Sequence, residues 1–160
     1  MEIRLLDSNE ISNLIDFVHQ VEEIDENCND FLEVSPHFFK VMKDKKVICY
    51  GIFEEDKLIA YYLVHFEGVH PYSLPKGINK ECINKTAEIF SFLVHSSFRG
   101  RSLQKILTEK AELEAINRGF LYMLVKVKSN NEYSKNNFEK MGYITDTQKN
   151  GLRTYYKSLR

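Results

Sequence analysis

The sequence is poor in cysteine, in net charge and in long apolar runs, and each shortage removes a class of protein. Its three cysteines, Cys28, Cys49 and Cys82, are an odd number with no CxxC or Cys/His spacing, so neither a disulfide framework nor a zinc ribbon is encoded. Nothing at the amino terminus resembles a secretory signal, and reduced thiols in a cytoplasmic protein are the expectation. No apolar stretch approaches the ~20 residues that cross a bilayer, so no membrane partner is expected. Lys and Arg total 22 against 23 Asp and Glu, which leaves no global field to draw the chain onto nucleic acid. Any anion site must be local. The Walker and GxGxxG patterns are missing, which argues against a nucleoside triphosphatase or a nicotinamide enzyme. His65 and His70 flank a loop without a third ligand at suitable spacing, so no metal is expected.

What is present is a foldable chain. Its 160 residues, 43% apolar and 28% charged, suit a single domain spanning 1–160 with a core of its own. A strand at residues 1–6 leads through Asp7 and Ser8 to an amphipathic helix with Ile11, Leu14, Ile15, Val18 and Val21 on one face. Ser35-Pro36 then opens a short helix with Phe38, Phe39 and Met42. Residues 47–53 and 58–66 read as a hairpin turning at Glu54-Glu55-Asp56-Lys57, followed by an irregular loop over 67–85. A strand over 87–95 carries into Phe98-Arg99-Gly100-Arg101. The next helix places Leu103, Ile106, Leu107, Ala111 and Ala115 at helical spacing and is closed by Gly119, and a strand over 120–128 completes a β-α-β unit with parallel strands. Asn130-Asn131 opens a short helix through Ser134, Phe138 and Met141 that Gly142 stops. The chain ends in a hairpin around Asn150-Gly151.

The segment Phe98-Arg99-Gly100-Arg101-Ser102-Leu103-Gln104 has the parts of a phosphate cradle. The first turn of a helix leaves N–H groups unpaired at the positive end of its dipole, and Gly100 lets a ligand approach the backbone. Its place at the carboxyl end of a strand is where α/β sheets bind ligands. A capped helix on a basic surface would show the same residues.

Arg99-x-x-Ser102-x-Gln104 resembles the acyl-CoA motif of the GNAT superfamily, Q/R-x-x-G-x-G/A. Asn131-x-x-Ser134-x-x-x-Phe138-x-x-x-Gly142-Tyr143 is similar to the family's second motif, N-x-x-A-x-x-x-Y-x-x-x-G-F. The resemblance covers the chain from about Ala87 onward. It implies an α/β (α+β) GNAT-like fold: a central mixed, mostly antiparallel sheet with one parallel β-α-β unit and flanking helices. It also implies an N-acetyltransferase that uses acetyl-CoA as cosubstrate and a small-molecule or peptide amine as acceptor. The backbone amides of Arg99, Gly100, Arg101, Ser102, Leu103 and Gln104 would then take the pyrophosphate. Leu93 and Val94 would pair with the pantetheine arm as an added strand, and Asn131, Ser134 and Phe138 would line its far end.

Three departures stand out. Ser102 replaces a glycine, an exchange expected to be tolerated where its dihedrals are helical. Gln104 stands where a small residue is usual. Phe138 occupies the place of the tyrosine that protonates the leaving thiolate, which leaves Tyr133 as the nearest candidate acid or, equally, a surface aromatic. Glu88 resembles in position the glutamate that some relatives use as base, and its apolar neighbours Ile89 and Phe90 would raise its proton affinity. His95 is a rival base or a hydrogen-bonded structural residue. Glu22, Glu23, Asp25 and Glu26 either attract a cationic acceptor or form a solvated loop. The carboxyl-terminal strand is expected to be exposed and able to pair with a second copy, which keeps a homodimer open. A non-catalytic acyl-CoA-binding regulatory module is the alternative on the same fold. A nucleic-acid binder is disfavoured by Glu109, Glu112 and Glu114 beside Arg99, Arg101 and Lys105.

Overall fold

In the computed structural model, residues 1–24 and 42–160 are described. The expected helix with Phe38 and Phe39, the acidic residues Asp25 and Glu26, and Cys28 lie outside the described residues. The elements are β1 (Glu2–Leu6), α1 (Ile11–Ile24), β2 (Val47–Glu54), β3 (Lys57–His65), β4 (Thr86–Val94), α2 (Leu103–Asn117), β5 (Tyr122–Lys128), α3 (Glu132–Lys140), β6 (Ile144–Lys149) and β7 (Leu152–Ser158). The strands form one mixed sheet of seven in the order β1-β2-β3-β4-β5-β7-β6. The chain divides into two compact units, Met1–Val64 with Ser91–Leu107, and His65–Phe90 with Thr108–Arg160.

In the first unit β1 runs antiparallel to β2, from Glu2↔Phe53 to Leu6↔Cys49. The turn between β2 and β3 is made by Glu55 and Asp56, both at positive φ, as a two-residue type I′ turn requires. Helix α1 buries Leu14, Val18 and Val21 of the expected stripe, with Ile15 half-buried, and adds Phe17 to them. These pack with Val47, Cys49, Phe53, Tyr61, Leu63 and Leu93 into one apolar cluster. Burial pushes the Cys49 thiol far above its ordinary pKa, so it packs as a small hydrophobe.

In the second unit the amino-terminal part of β4 is parallel to β5, from Thr86↔Tyr122 to Ile89↔Val125, as the β-α-β reading requires. Strand β5 pairs antiparallel with β7, and β7 with β6. Helix α2 ends in a left-handed Gly119, with Phe120 N–H donating to Ala115 O and Gly119 N–H to Ile116 O, the two bonds of a Schellman motif. The region 67–85, expected to be irregular, contains helical turns at Pro71–Ser73 and Lys80–Lys85. It is fastened by Asp146, whose carboxylate accepts from the amides of Lys76 (3.1 Å) and Gly77 (2.7 Å). Asp146 sits at the β-bulge between Thr145 and Thr147 in β6. The bulge turns the side chain out of the ladder.

One expectation is overturned. Strand β7 is not exposed at a sheet edge but lies between β5 and β6, so its backbone is paired on both sides. The edge strand at that end is the bulged β6, and bulges blunt edge pairing.

Candidate active site

In the first unit, β4 delivers the chain into the proposed cradle. Along β4, Ala87, Ile89, Ser91 and Leu93 are buried while Glu88, Phe90, Phe92 and Val94 lie on the more open face. The ladder with β5 stops at Ile89↔Val125, well before β4 ends at Val94. His95 follows, and its amide is held by Ile59 O at 2.9 Å. Its Nδ1 accepts from the Ser97 amide at 3.2 Å and caps the turn Ser96–Phe98, while its ring packs near Phe17 and Phe98. The structural reading of His95 is therefore the one its geometry supports.

Arg99, Gly100, Arg101 and Ser102 are exposed. Gly100 and Ser102 both have positive φ, +83° and +59°. Alternating left-handed and ordinary residues is how successive amides come to face one concavity. Among the described residues, the amides of Gly100, Arg101, Ser102 and Leu103 donate no backbone hydrogen bond; the first bond of α2 is Ile106 N–H to Ser102 O at 3.1 Å. The Arg99 amide, by contrast, already donates to Ser96 O at 3.4 Å, so the cradle begins one residue later than expected. Among the described residues, a methyl group built on Gly100 would meet nothing within 4 Å, so they leave the space over the backbone open. Ser102 is left-handed and not helical, so the condition under which a serine is well tolerated is not met and a glycine suits this position. Arg101 pairs with Glu54 at 3.1 Å and lies over the Phe98 ring. The side chains of Leu103 and Gln104 are buried, so these residues can offer a ligand only their backbone.

In the second unit, Glu88 is mostly buried and lies 3.7 Å from Lys126 Nζ. Burial raises its carboxyl above the ordinary range, and the charges of Lys126 and His65 oppose that rise. Lys126 donates to Ser73 Oγ at 2.9 Å. His65 pairs with Glu67 at 2.8 Å and meets the edge of the Phe90 ring. Lys126 and Ser73 went unnoticed in the sequence. The available signal was a lysine inside the apolar run Met123-Leu124-Val125-Lys126-Val127, two residues beyond Leu124, the register partner of Glu88.

The second motif resolves into helix punctuation. Asn131 is the N-cap of α3, its Oδ1 accepting from the Ser134 amide at 3.1 Å, and Ser134 is buried. The helix stops at Gly142 (φ +91°) with Tyr143 N–H donating to Phe138 O and Gly142 N–H to Glu139 O, a second Schellman motif. Phe138 and Tyr143 make the hydrophobic contact that accompanies such a stop, ring centroids 5.1 Å apart. Phe138 is 0% exposed and also stacks on Tyr155, so its expected place along the pantetheine arm is corrected: the ring has no surface to offer a ligand. Tyr133 is 56% exposed on α3. No group of three potential metal ligands occurs among the described residues. No helix among them is long and apolar enough to cross a membrane.

Solved structures share this fold over nearly the whole chain. The PaiA N-acetyltransferase from Thermoplasma acidophilum, in complex with coenzyme A, is 14% identical, with 98% of each chain covered and a TM-score of 0.70. An N-acetyltransferase from Staphylococcus aureus Mu50 is 15% identical, covering 99% of this chain and 98% of its own, at a TM-score of 0.75. The ribosomal-protein-alanine N-acetyltransferase from Brucella melitensis is 16% identical over 99% of each chain, at a TM-score of 0.74. No curated protein sequence matches. The model of the acetyltransferase (GNAT) family matches residues 13–143, which include both motifs, the cradle and Glu88, and the chain therefore belongs to that family.

Proposed function

We propose that the protein transfers the acetyl group of acetyl-CoA directly to a primary amine of a small molecule, a peptide or a protein. The observation that carries this reading is the cradle: amides from Gly100 to Leu103 at the start of a helix, without backbone acceptors among the described residues and with open space among them over Gly100. Such a site holds a pyrophosphate through fixed dipoles rather than net charge, which suits a chain whose formal charge is −1. The backbone at Leu93 and Val94, beyond the end of the β5 ladder, is available to pair with the pantetheine arm as an added strand.

The thioester supplies the activated acyl carbon. The amine nitrogen forms a bond to that carbon, the carbon–sulfur bond breaks, and coenzyme A leaves as thiolate. The amine must shed a proton, and Glu88 accepts it; a carboxylate with raised proton affinity is better matched to that task near neutral pH. Tyr133 protonates the departing sulfur if any side chain does, because Phe138 cannot. Positioning supplies most of the acceleration.

The burial of Phe138 also favours a second reading, a non-catalytic acyl-CoA-binding module that lacks a dedicated acid. Thermal shift with acetyl-CoA, joined to thiol release across polyamines, aminoglycosides, amino acids and peptide amino termini, separates the two. Binding at saturating ligand stabilises by about 3 kcal/mol at a hundred times Kd. Stabilisation with thiol release supports the enzyme, stabilisation alone supports the module, and no stabilisation by acetyl-CoA overturns the pyrophosphate cradle and both readings with it.

A further inference from the structure

Glu88 presents a chemical problem that its neighbours address. A carboxyl group buried as deeply as this one is driven toward its neutral form, and a neutral acid accepts no proton. Lys126 and His65 both act against that drive. His65, at the end of β3, is hydrogen-bonded to Glu67 at 2.8 Å. Lys126, from β5, has Glu88 as its carboxylate partner at 3.7 Å. A lysine head on four rotatable carbons does not stay in one place by itself. Here it donates to Ser73 Oγ at 2.9 Å.

Ser73 is itself held. It closes the turn Pro71–Ser73, its amide donates to His70 O at 2.8 Å, and the chain just beyond is clamped through the Lys76 and Gly77 amides on Asp146. Gly77 packs closely under Tyr156: a methyl there would overlap the Tyr156 hydroxyl, which also donates to Asp146. The segment between β3 and β4 is therefore built so that one hydroxyl lies within reach of Lys126.

We propose that Ser73 and Lys126 are positioning residues for Glu88, the loop serine fixing the ammonium so that its charge keeps the carboxylate ionised and able to act as base. The inference rests on the assignment of Glu88 under the proposed function, and it extends that assignment to two residues that act through Glu88. A merely structural ion pair would leave the ionisation of Glu88 without consequence for the reaction, whereas a positioning pair links the two.

The test is a carboxyl-carbon NMR titration of the full chain labelled at glutamate, with the Glu88 signal assigned by its loss in Glu88→Gln. In Lys126→Met the midpoint for Glu88 is expected to move up, in Ser73→Ala to move up by less, and in Lys126→Arg to stay near that of the unchanged protein. Ser73→Ala alters one loop hydroxyl and keeps the test open should Lys126→Met fold poorly. A Glu88 midpoint that does not rise in either Lys126→Met or Ser73→Ala overturns the proposal. The acidic limb of kcat/KM is expected to follow the same order, and a limb that stays still while the midpoint moves also overturns it. The titration needs no acceptor, so failure of thiol release would count against the transferase reading and leave the titration to judge the Ser73 and Lys126 pair.

Discussion

Ser102 carries a side chain where the backbone turns left-handed, at φ +59°, and that geometry costs an L-residue about 1 kcal/mol or more. Ser102→Gly removes the clash and returns a few tenths of it through the freer unfolded chain. A rise in melting temperature of about 2 °C is expected in the absence of ligand, given the 2–4 °C per kcal/mol typical of this size. No rise, or a fall, would mean that the serine side chain contributes more than its backbone strain costs. Glu88 offers a sharper test because its proton affinity is raised in the folded state. The folded protein then holds the proton to higher pH than the unfolded chain, so Glu88 lowers stability as pH climbs from the ordinary carboxylate range through its folded pKa. Glu88→Gln removes that slope. Its melting temperature is expected to exceed that of the unchanged protein at neutral pH, and the difference to shrink on acidification to pH 4. Thiol release should fall by about a hundredfold or more if Glu88 is the base. Unchanged turnover in Glu88→Gln would hand the role to another group.

Elements that punctuate themselves were legible in the sequence, and the reason is local chemistry. Asn150-Gly151 turns with both residues at positive φ, Gly119 and Gly142 close helices in left-handed form, and the stripe of α1 faces inward, all without help from distant parts of the chain. Gly142 shows what such a signal is worth. A methyl there meets only Lys157 at 3.8 Å, so Gly142→Ala suffers from φ +91° and not from crowding. A loss of about 1–2 kcal/mol, seen as a melting temperature lower by about 3–6 °C, is expected from the backbone alone. What depends on pairing distant segments was less legible. The strand order that buries β7 between β5 and β6 is set by tertiary registry, and hairpin chemistry at Asn150-Gly151 does not say which of its two arms faces the rest of the sheet. The same limit hid Lys126 and Ser73, which lie far from Glu88 in sequence and meet it only through the parallel ladder and the Asp146 clamp. It also disguised the second motif, whose asparagine and phenylalanine read as ligand contacts in a pattern and as cap and core in three dimensions.

At the scale of the whole molecule, the two compact units do not correspond to two segments of chain. The path leaves the first unit after Val64, returns at Ser91 and leaves again at Leu107. Every one of these crossings falls inside a regular element: within β3, within β4 and within α2. Independent domains are joined through exposed, flexible linkers, and none of these crossings is one. Val64, Leu107 and Thr108 are completely buried and Ser91 nearly so. Unfolding one unit while the other stays folded would require β4 to end at a buried serine and α2 to break in mid-helix, with the loss of hydrogen bonds and apolar burial on both sides of the break. Such a state is expected to be too costly to populate. Calorimetry of the full chain should therefore show one transition whose calorimetric and van't Hoff enthalpies agree, the behaviour of a single cooperative domain. Acetyl-CoA, if it binds the cradle at Gly100–Leu103, should move that one transition as a unit and not split it. Two resolved transitions, only one of them shifted by acetyl-CoA, would show instead that the units unfold separately and that the single-domain expectation fails.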